Sequence, residues 1–150
     1  MRKIREGVEV FMTIKNKHAM RKRVLSELSG ATTSIIIEHG YITDATIIRR
    51  LRKISRSGIP VQVILPYRSD GVRHANMHSI YKLLKISKVH HKQKNTIQVY
   101  LYPGMIHAKV ILIDNSVAII GSANLTYGSF DFLQETNVIF REKSQVVEDL

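Results

Sequence analysis

Short runs of aliphatic and β-branched residues alternate along this chain with longer segments in which apolar residues recur every three or four positions. The short runs have the length and composition of buried β-strands, and the longer segments have the periodicity of amphipathic helices. Strands that alternate with helices are typical of a layered α/β domain. The alternation therefore predicts a mixed β-sheet sandwiched by helices.

The predicted elements follow one another along most of the chain. Strands are expected at Val8–Ile14, Thr33–Glu38, Pro60–Leu65, Ile97–Tyr102, Ile106–Asp114, Ser116–Ile120 and Asn137–Arg141. Helices are expected at Lys17–Leu28, Asp44–Arg56 and His74–Ile86, and a further helix is expected to begin within Ser144–Leu150. Because no repeat, low-complexity stretch or linker interrupts them, we expect one domain over residues 1–150. The last helix leaves open a continuation of that domain past residue 150.

Polar residues and glycines mark the predicted ends of these elements. Asn16 and Thr43 are candidate N-caps, and Gly30 and Gly58 are placed to end the first two helices. The pair Asp114-Asn115 predicts a tight hairpin turn between the fifth and sixth strands. The basic residues of the first helix are expected to face solvent; these are Arg21, Lys22 and Arg23.

The net charge is the unusual property of the composition. The 150 residues include 23 lysines and arginines against 12 acidic residues, which gives a formal charge of +11. Such a charge concentrates anions near the surface, so it is compatible with nucleic acid, anionic lipid or another phosphate-rich substrate. It is equally compatible with a solvated basic surface that has no specific partner. The absence of cysteine excludes disulfides and thiolate metal sites.

Membrane insertion and export leave recognisable segments, and neither pattern is seen here. No apolar run approaches the roughly 20 residues that span a bilayer. The basic N-terminus leads into no apolar signal core. We therefore expect a protein of the cytoplasm or of the membrane periphery.

Two short polar motifs fall at the same end of the predicted sheet. His107 and Lys109 lie two residues apart on a predicted strand and therefore point to one face. After the next strand, Gly121 permits close backbone approach, and Ser122 and Asn124 return a hydroxyl and an amide to that end. A phosphate bound by Lys109, Asn124 and Ser122 would lie beside the His107 imidazole. Such donors stabilise charge on a five-coordinate phosphorus, and a neutral imidazole can attack it to form a phosphohistidine.

The complete pattern from His107 to Asn124, written HxK(x)4D(x)6GSxN, resembles the signature of the phospholipase D superfamily. The resemblance implies a phospholipase D-like half-domain that acts as a phosphodiesterase, with no cofactor and no metal. The segment Ser129-Phe130 followed by Glu135 is similar to the downstream family segment. By that likeness, Glu135 accepts a hydrogen bond from the distal imidazole nitrogen of His107, and Asp114 contacts the histidine or stabilises the site.

Flanking segments resemble the C-terminal half of bacterial cardiolipin synthases over about residues 16–142. The similar segments are Gly58–Pro66, Ser69-Asp70, Tyr81–Leu84 and Ile97–Tyr100. Two positions depart from the family pattern. His39–Asp44 replaces the usual turn that contains Pro-Tyr-Phe, and Leu133 replaces an asparagine. This likeness favours phospholipid hydrolysis or phosphatidyl transfer.

The sequence also fits other functions. The single motif, the charge of +11 and the small size favour a metal-independent endonuclease that acts on DNA or RNA. An inactive half-domain that binds phosphate is a further alternative. His90-His91 invites a metal site, but its lysine-rich surroundings favour a solvated basic loop. His39, Tyr41 and Tyr102 are placed where the walls of a pocket would be.

One motif supplies one histidine, which cannot be nucleophile and proton donor in the same step. We therefore expect a homodimer in which a second copy completes the active site. The alternative is a second motif-bearing half in a longer protein. In both cases the expected substrate is an anionic phosphodiester, either phospholipid or nucleic acid.

Overall fold

The computed structural model describes residues 7–13, 18–67, 70–84 and 96–141 of the chain. Its strands are β1 Val8–Met12, β2 Ile35–His39, β3 Val61–Pro66, β4 Ile97–Tyr102, β5 Lys109–Ile113, β6 Val117–Gly121 and β7 Thr136–Arg141. Its helices are α1 Ala19–Ser29, α2 Ala45–Arg56, α3 Asp70–Leu84 and α4 Tyr127–Asp131. The predicted start of a helix at Ser144–Leu150 lies outside the described residues.

The strands form one seven-stranded sheet in the order β1-β7-β6-β5-β2-β3-β4. Strands β2, β3 and β4 are parallel, and the other neighbours are antiparallel. Helices α2 and α3 make the crossovers that parallel strands require. The predicted mixed α/β sheet is confirmed. Because of these strand directions, β2, β3, β4 and β6 end at the same side of the sheet where β5 and β7 begin. We call this side of the sheet the upper edge.

The main core lies between the sheet and the helices, where apolar side chains from alternate strand positions meet the apolar stripes of α1 and α2. The fully buried members include Met20, Val24, Leu28, Ile35, Ile37, Ile47, Leu51, Val61 and Val63. A smaller cluster on the other face contains Leu112 and Ala118, with Ile36 and Phe140 packed against them. Burial of the larger set on folding is the main force that holds the helices to the sheet.

The predicted hairpin between β5 and β6 is confirmed. Asp114 and Asn115 have φ values of 56° and 50°, and the N–H of Ser116 donates to the carbonyl of Ile113 at 3.0 Å. Two successive positive φ values are the conformation that the tightest hairpin turns require, and Asp and Asn adopt it more readily than most residues.

Several predicted boundaries differ from the structure. The N-cap of α2 is Asp44, not Thr43, because the Asp44 carboxylate accepts from the N–H groups of Thr46 and Ile47. Helix α1 is preceded by His18, which makes no side-chain capping bond, and the candidate cap Asn16 lies outside the described residues. Helix α3 begins at Asp70 rather than His74. Strand β5 begins at Lys109 rather than Ile106, so His107 precedes the strand.

Candidate active site

Lys109 brings a positive charge into the upper edge. As the first residue of β5 it faces the helices together with Ile111 and Ile113, and it is 8% exposed. Its Nζ donates a hydrogen bond to the main-chain carbonyl of His107 at 2.9 Å. Burial of an ammonium costs free energy unless its donors are used. This bond occupies one of the three ammonium donors and leaves the other two for further acceptors at the upper edge.

The sequence predicted that His107 and Lys109 both lie on the strand. In the structure β5 begins at Lys109, and His107 lies just before it. Its side chain is exposed, and within the described part of the chain no hydrogen bond to the imidazole is seen. The bond from Lys109 fixes the main chain at this residue. The imidazole is therefore anchored at its backbone and open to a substrate at its ring.

Ser122 and Glu135 form a hydrogen-bonded pair next to the end of β6. The Ser122 hydroxyl donates to the Glu135 carboxylate and accepts from the N–H of Thr136 at 3.1 Å. Glu135 is 9% exposed, and its main-chain N–H donates to the hydroxyl of Thr13 at 2.8 Å. Among the described residues Ser122 is the partner of this carboxylate, and the hydrogen bond from His107 stays a prediction.

Asn124 carries an unsatisfied polar atom. Its side-chain oxygen is enclosed without a hydrogen-bond partner among the described residues. The main chain at Gly40 lies against it: a Cβ there would be 2.9 Å from the carbonyl oxygen of Ile106 and 3.7 Å from Asn124 Oδ1. Buried polar atoms without partners are rare, and in native proteins they need an explanation such as a functional role.

Gly121 allows β6 and β7 to come close at the upper edge. A Cβ on this residue would lie 2.0 Å from Asn137 Oδ1 and 2.3 Å from the carbonyl oxygen of Thr136. The same Asn137 oxygen accepts from the N–H of Ala123 at 3.3 Å. The predicted close backbone approach at Gly121 is confirmed, and it directs the chain that carries Ser122 and Asn124.

Asp114 is not part of this cluster. It follows β5 at the opposite end of the strand, about 17 Å from Lys109 by the rise of an extended chain. Its carboxylate accepts from the N–H groups of Thr32 at 2.8 Å, Thr33 at 2.8 Å and Ser34 at 3.0 Å. Of the two roles predicted for Asp114, contact with His107 is not seen, because the hairpin turn places the carboxylate against the chain that enters β2. The other role, stabilising the site, stays a prediction.

The environment of Asp114 also sets its charge. Burial opposes its ionisation, but the N–H groups of Ser34, Thr33 and Thr32 and a threonine hydroxyl outweigh that effect. Together they hold the pKa of Asp114 well below its usual range. Asp114 is therefore a structural anion.

His39, which the sequence placed at a pocket wall, lies inside the upper edge. It ends β2, faces Lys109 across the β2–β5 pair and is 2% exposed. Burial, and then the positive charge of Lys109, lower the pKa of His39 to about 3. Its imidazole is therefore neutral at physiological pH. Of the other two predicted wall residues, Tyr41 is half-buried and Tyr102 is 51% exposed.

Asn76 is a site-supporting residue that the sequence did not reveal. It lies on α3, is 1% exposed, donates to the carbonyl of Gly40 at 2.8 Å and accepts from the N–H of Ile42 at 3.1 Å. These bonds fix the loop that follows His39. A single asparagine within a helical pattern carries no sequence signal for such a role.

Arg21 was predicted to face solvent on α1, and this prediction is wrong, because its side chain is only 14% exposed. Its guanidinium donates to Asp44 at 2.9 Å and to the Asp131 carboxylate. It also lies over the rings of Tyr127 and Phe130, with distances of 5.6 Å and 5.3 Å to their centroids. This partly buried cluster ties α1, α2 and α4 together.

Helix α4 was not predicted. It has five residues, and the hydroxyl of its N-cap Thr126 accepts from the N–H of Ser129. So short a helix has no periodicity to detect. The predicted loop at His90-His91 lies outside the described residues. No described helix is long and apolar enough to cross a membrane.

Comparison with known proteins shows which chains share this arrangement. Residues 24–150 match the family model described as "Cardiolipin synthase, PLD-like domain". A cardiolipin synthase from Halalkalibacterium halodurans is 33% identical over 129 residues, which cover 83% of this chain and 24% of that protein. The major cardiolipin synthase ClsA of Bacillus subtilis is 34% identical over 112 residues, which cover 73% of this chain and 22% of that protein. The chain thus matches less than a quarter of the length of these two relatives.

Two solved structures share the fold over nearly their whole length. Nuc from Salmonella typhimurium, a phospholipase D family member, superposes with a TM-score of 0.73 and 24% identity, covering 95% of this chain and 87% of that one. NucT from Helicobacter pylori gives a TM-score of 0.76 and 24% identity, covering 95% and 89%. Both are therefore close to this chain in size as well as in fold.

Proposed function

This chain belongs to the cardiolipin synthase, PLD-like domain family, and we propose that it is a phosphodiesterase that acts through a phosphohistidine on His107. The observation that carries the proposal is the pairing of a buried ammonium with an exposed imidazole at one strand end. Lys109 is 8% exposed and is bound at 2.9 Å to the main chain of His107. A phosphate attracted by the lysine comes within reach of the imidazole.

In the first step, a ring nitrogen of His107 attacks phosphorus. The P–N bond forms, the bond to the leaving oxygen breaks, and that oxygen takes a proton from an acid on the far side. Water, or an alcohol in a transfer reaction, then attacks the phosphohistidine, gives its proton to the same group and releases His107. Lys109 and the side-chain amide of Asn124 donate to the non-bridging oxygens throughout.

The Ser122–Glu135 pair supports a change of partners when substrate binds. In the free site the only proton of the Ser122 hydroxyl is given to Glu135. If Glu135 turns to the distal nitrogen of His107, the Ser122 hydroxyl is released to donate to the phosphate. The carboxylate then fixes the tautomer that leaves the attacking nitrogen unprotonated.

The acid of the first step is not supplied by another described histidine of the same chain. His39 is neutral at physiological pH because its pKa lies near 3. His18 pairs with Asp131 at the start of α1, and His74 and His78 lie on α3. We therefore propose that the acid is His107 of a second copy in a two-fold dimer, or its equivalent in a second motif-bearing half.

The substrate that we favour is a phospholipid phosphodiester. The relatives that exceed 30% identity are cardiolipin synthases. Exposed apolar side chains also flank the site on the loops before β5 and β7, where lipid chains would pass. They are Met105, Phe132 and Leu133, at 68%, 69% and 56% exposure.

A nucleic-acid backbone is the second candidate. Two observations favour it: the formal charge of +11, and the near-complete overlap in length with Nuc, whose chain is 87% covered. A strongly basic surface attracts the phosphates of DNA or RNA regardless of their sequence.

One preparation tested against several phosphodiesters separates these substrates. We expect the chain to hydrolyse bis(p-nitrophenyl) phosphate in EDTA, because Lys109 and its symmetry mate supply the positive charge. Phosphatidylglycerol vesicles, plasmid DNA and a single-stranded RNA are then compared under the same conditions. Consumption of phosphatidylglycerol supports the lipid assignment, and nicking of the plasmid without it supports the second candidate.

The controls are a matched pair of histidine variants. His107→Ala should abolish every one of these activities, whereas His78→Ala, which removes an exposed histidine of α3, should leave them unchanged. No turnover of any of the four substrates by wild-type protein, or activity lost in EDTA and restored by a divalent metal, would contradict the proposal.

A further inference from the structure

His39 occupies a position that the proposed chemistry does not yet use. It is the last residue of β2 and lies directly opposite Lys109 in the antiparallel β2–β5 pair. The alternating burial of Ile35, Ile37 and His39 shows that its side chain points to the helix-covered face, as does that of Lys109. Directly opposite residues on antiparallel strands have Cβ atoms about 5 Å apart. The imidazole therefore lies against the lysine.

The imidazole also carries an unused polar atom. His39 is 2% exposed, and its Nδ1 is enclosed with no hydrogen-bond partner among the described residues. An enclosed nitrogen without a partner costs free energy that an apolar side chain of similar size would not cost. A leucine would fill a similar space on the buried face of β2, next to Ile35 and Ile37. The histidine therefore needs a reason beyond packing.

The surrounding chain holds the imidazole in place. Asn76 binds Gly40 and Ile42, which follow His39, at 2.8 Å and 3.1 Å. Gly40 in turn packs between the carbonyl of Ile106 and the side chain of Asn124. The loop after β2 thus lies between the chain that precedes β5 and the side chain of Asn124. His39 cannot move away from Lys109 without displacing both.

Lys109 has more donors than its described contacts use. An ammonium has three N–H donors, and the described contacts occupy one of them, on the His107 carbonyl. We propose that Nδ1 of His39 accepts a second donor when Lys109 engages a substrate phosphate, which leaves the third for a phosphate oxygen. On this proposal, which rests on the proposed function, His39 is a positioning residue that aims Lys109.

The neutral state of His39 is what allows it to accept. Burial and the charge of Lys109 keep its pKa near 3, so the Nδ1 lone pair is available at physiological pH when the proton is on Nε2. The other titratable groups nearby are His107 before β5, Glu135 before β7, and Glu38, which points to the opposite sheet face. Asp44 and Asp131 are held by Arg21, and Asn76 of α3 does not titrate.

Three substitutions distinguish this role from packing. His39→Asn places an amide near the position of Nδ1, His39→Gln places one near that of Nε2, and His39→Leu fills the space without an acceptor. The pKa of Lys109 is read by NMR from its side-chain ¹³Cε resonance in lysine-labelled protein saturated with inorganic phosphate. Lys109→Arg assigns the resonance, and this measurement does not need turnover.

We expect the Lys109 pKa in His39→Leu and His39→Gln to fall by about one pH unit, because the charged form loses an acceptor. His39→Asn should keep the wild-type value. The alkaline limb of the kcat/KM profile for bis(p-nitrophenyl) phosphate should move in the same way. An equal Lys109 pKa in all four proteins, an equal fall in all three variants, or rescue by Gln instead of Asn would overturn the proposal.

The two proposals fail in different ways. If wild-type protein turns over no phosphodiester, the proposed function fails, but the NMR titration still decides whether His39 holds Lys109. If turnover is normal and the Lys109 pKa ignores His39, the positioning role fails alone. Thermal unfolding of each variant checks that the fold is kept.

Discussion

At the scale of the residue, Lys109 owes its position to strand register. It opens β5, lies opposite His39 and donates to the carbonyl of His107. The spacing of His107 and Lys109 was readable in the sequence, and so was their nearness to Ser122 and Asn124. What the spacing could not give is the exposure of each side chain, because that depends on β5 starting at Lys109 and leaving His107 in the loop.

Removal of the Lys109 charge should affect catalysis rather than folding. For Lys109→Met we expect a loss in kcat/KM of at least 100-fold, about 3 kcal/mol or more, as when a transition-state donor is removed. Lys53→Met, which removes a lysine from the exposed side of α2, serves as the control for net charge. If the two variants lose activity equally, the lysine acts through general electrostatics and not at the phosphate.

At the scale of the element, the β5–β6 hairpin has two functions at its two ends. Its upper end carries the site, while its turn residue Asp114 fixes the chain that enters β2. The turn itself was predictable from Asp114-Asn115. The partners of Asp114 were not, because they lie about 80 residues earlier in the chain and contact arises from the sheet order. The ion pairing of Arg21 escaped prediction for the same reason, since its partner Asp131 is 110 residues away.

Asp114→Asn should lower stability and spare activity. The asparagine keeps the positive-φ turn but loses the charge that binds three main-chain N–H groups, so we expect a loss of about 2 kcal/mol in the free energy of unfolding. Because the folded pKa of Asp114 is depressed, its contribution is present above about pH 4, the ordinary Asp pKa, and is lost as pH falls below it. Chemical denaturation from pH 7 to pH 3 measures both effects.

The variant should therefore be less stable than wild type at pH 7, and the difference should shrink toward pH 3. Glu9→Gln, which alters an exposed carboxylate paired with Arg23, is the control. If Asp114→Asn instead lowers kcat with unchanged stability, the residue takes part in the chemistry after all.

At the scale of the whole molecule, the fold class was predictable because periodicity and element order are local properties of the sequence. The mixed sheet and the family likeness were both read from it. Assembly is not a local property of the sequence. One chain places one His107 at its upper edge, and the proposed chemistry needs a second histidine. A shared site would bring two Lys109 ammoniums together, so the interface should be strengthened by phosphate or sulfate.

Mixing His107→Ala chains with wild-type chains tests the shared site. After the two are equilibrated at known ratios, a site that needs both histidines predicts that mixed dimers are inactive and that total activity falls as the square of the wild-type fraction. Subunit exchange is checked by native mass spectrometry with one chain labelled. A linear fall with complete exchange, or full activity in a monomer at high dilution, would rule out the shared site.

If His107 is the nucleophile, its covalent intermediate can be trapped. Wild-type protein is mixed with excess bis(p-nitrophenyl) phosphate, quenched in base within the first turnover and analysed by intact and peptide mass spectrometry. We expect one aryl phosphoryl group on His107, stable in base and lost in acid, and no adduct on His107→Ala. A protein that turns over the substrate without any adduct on His107, or with the adduct on another residue, would contradict it.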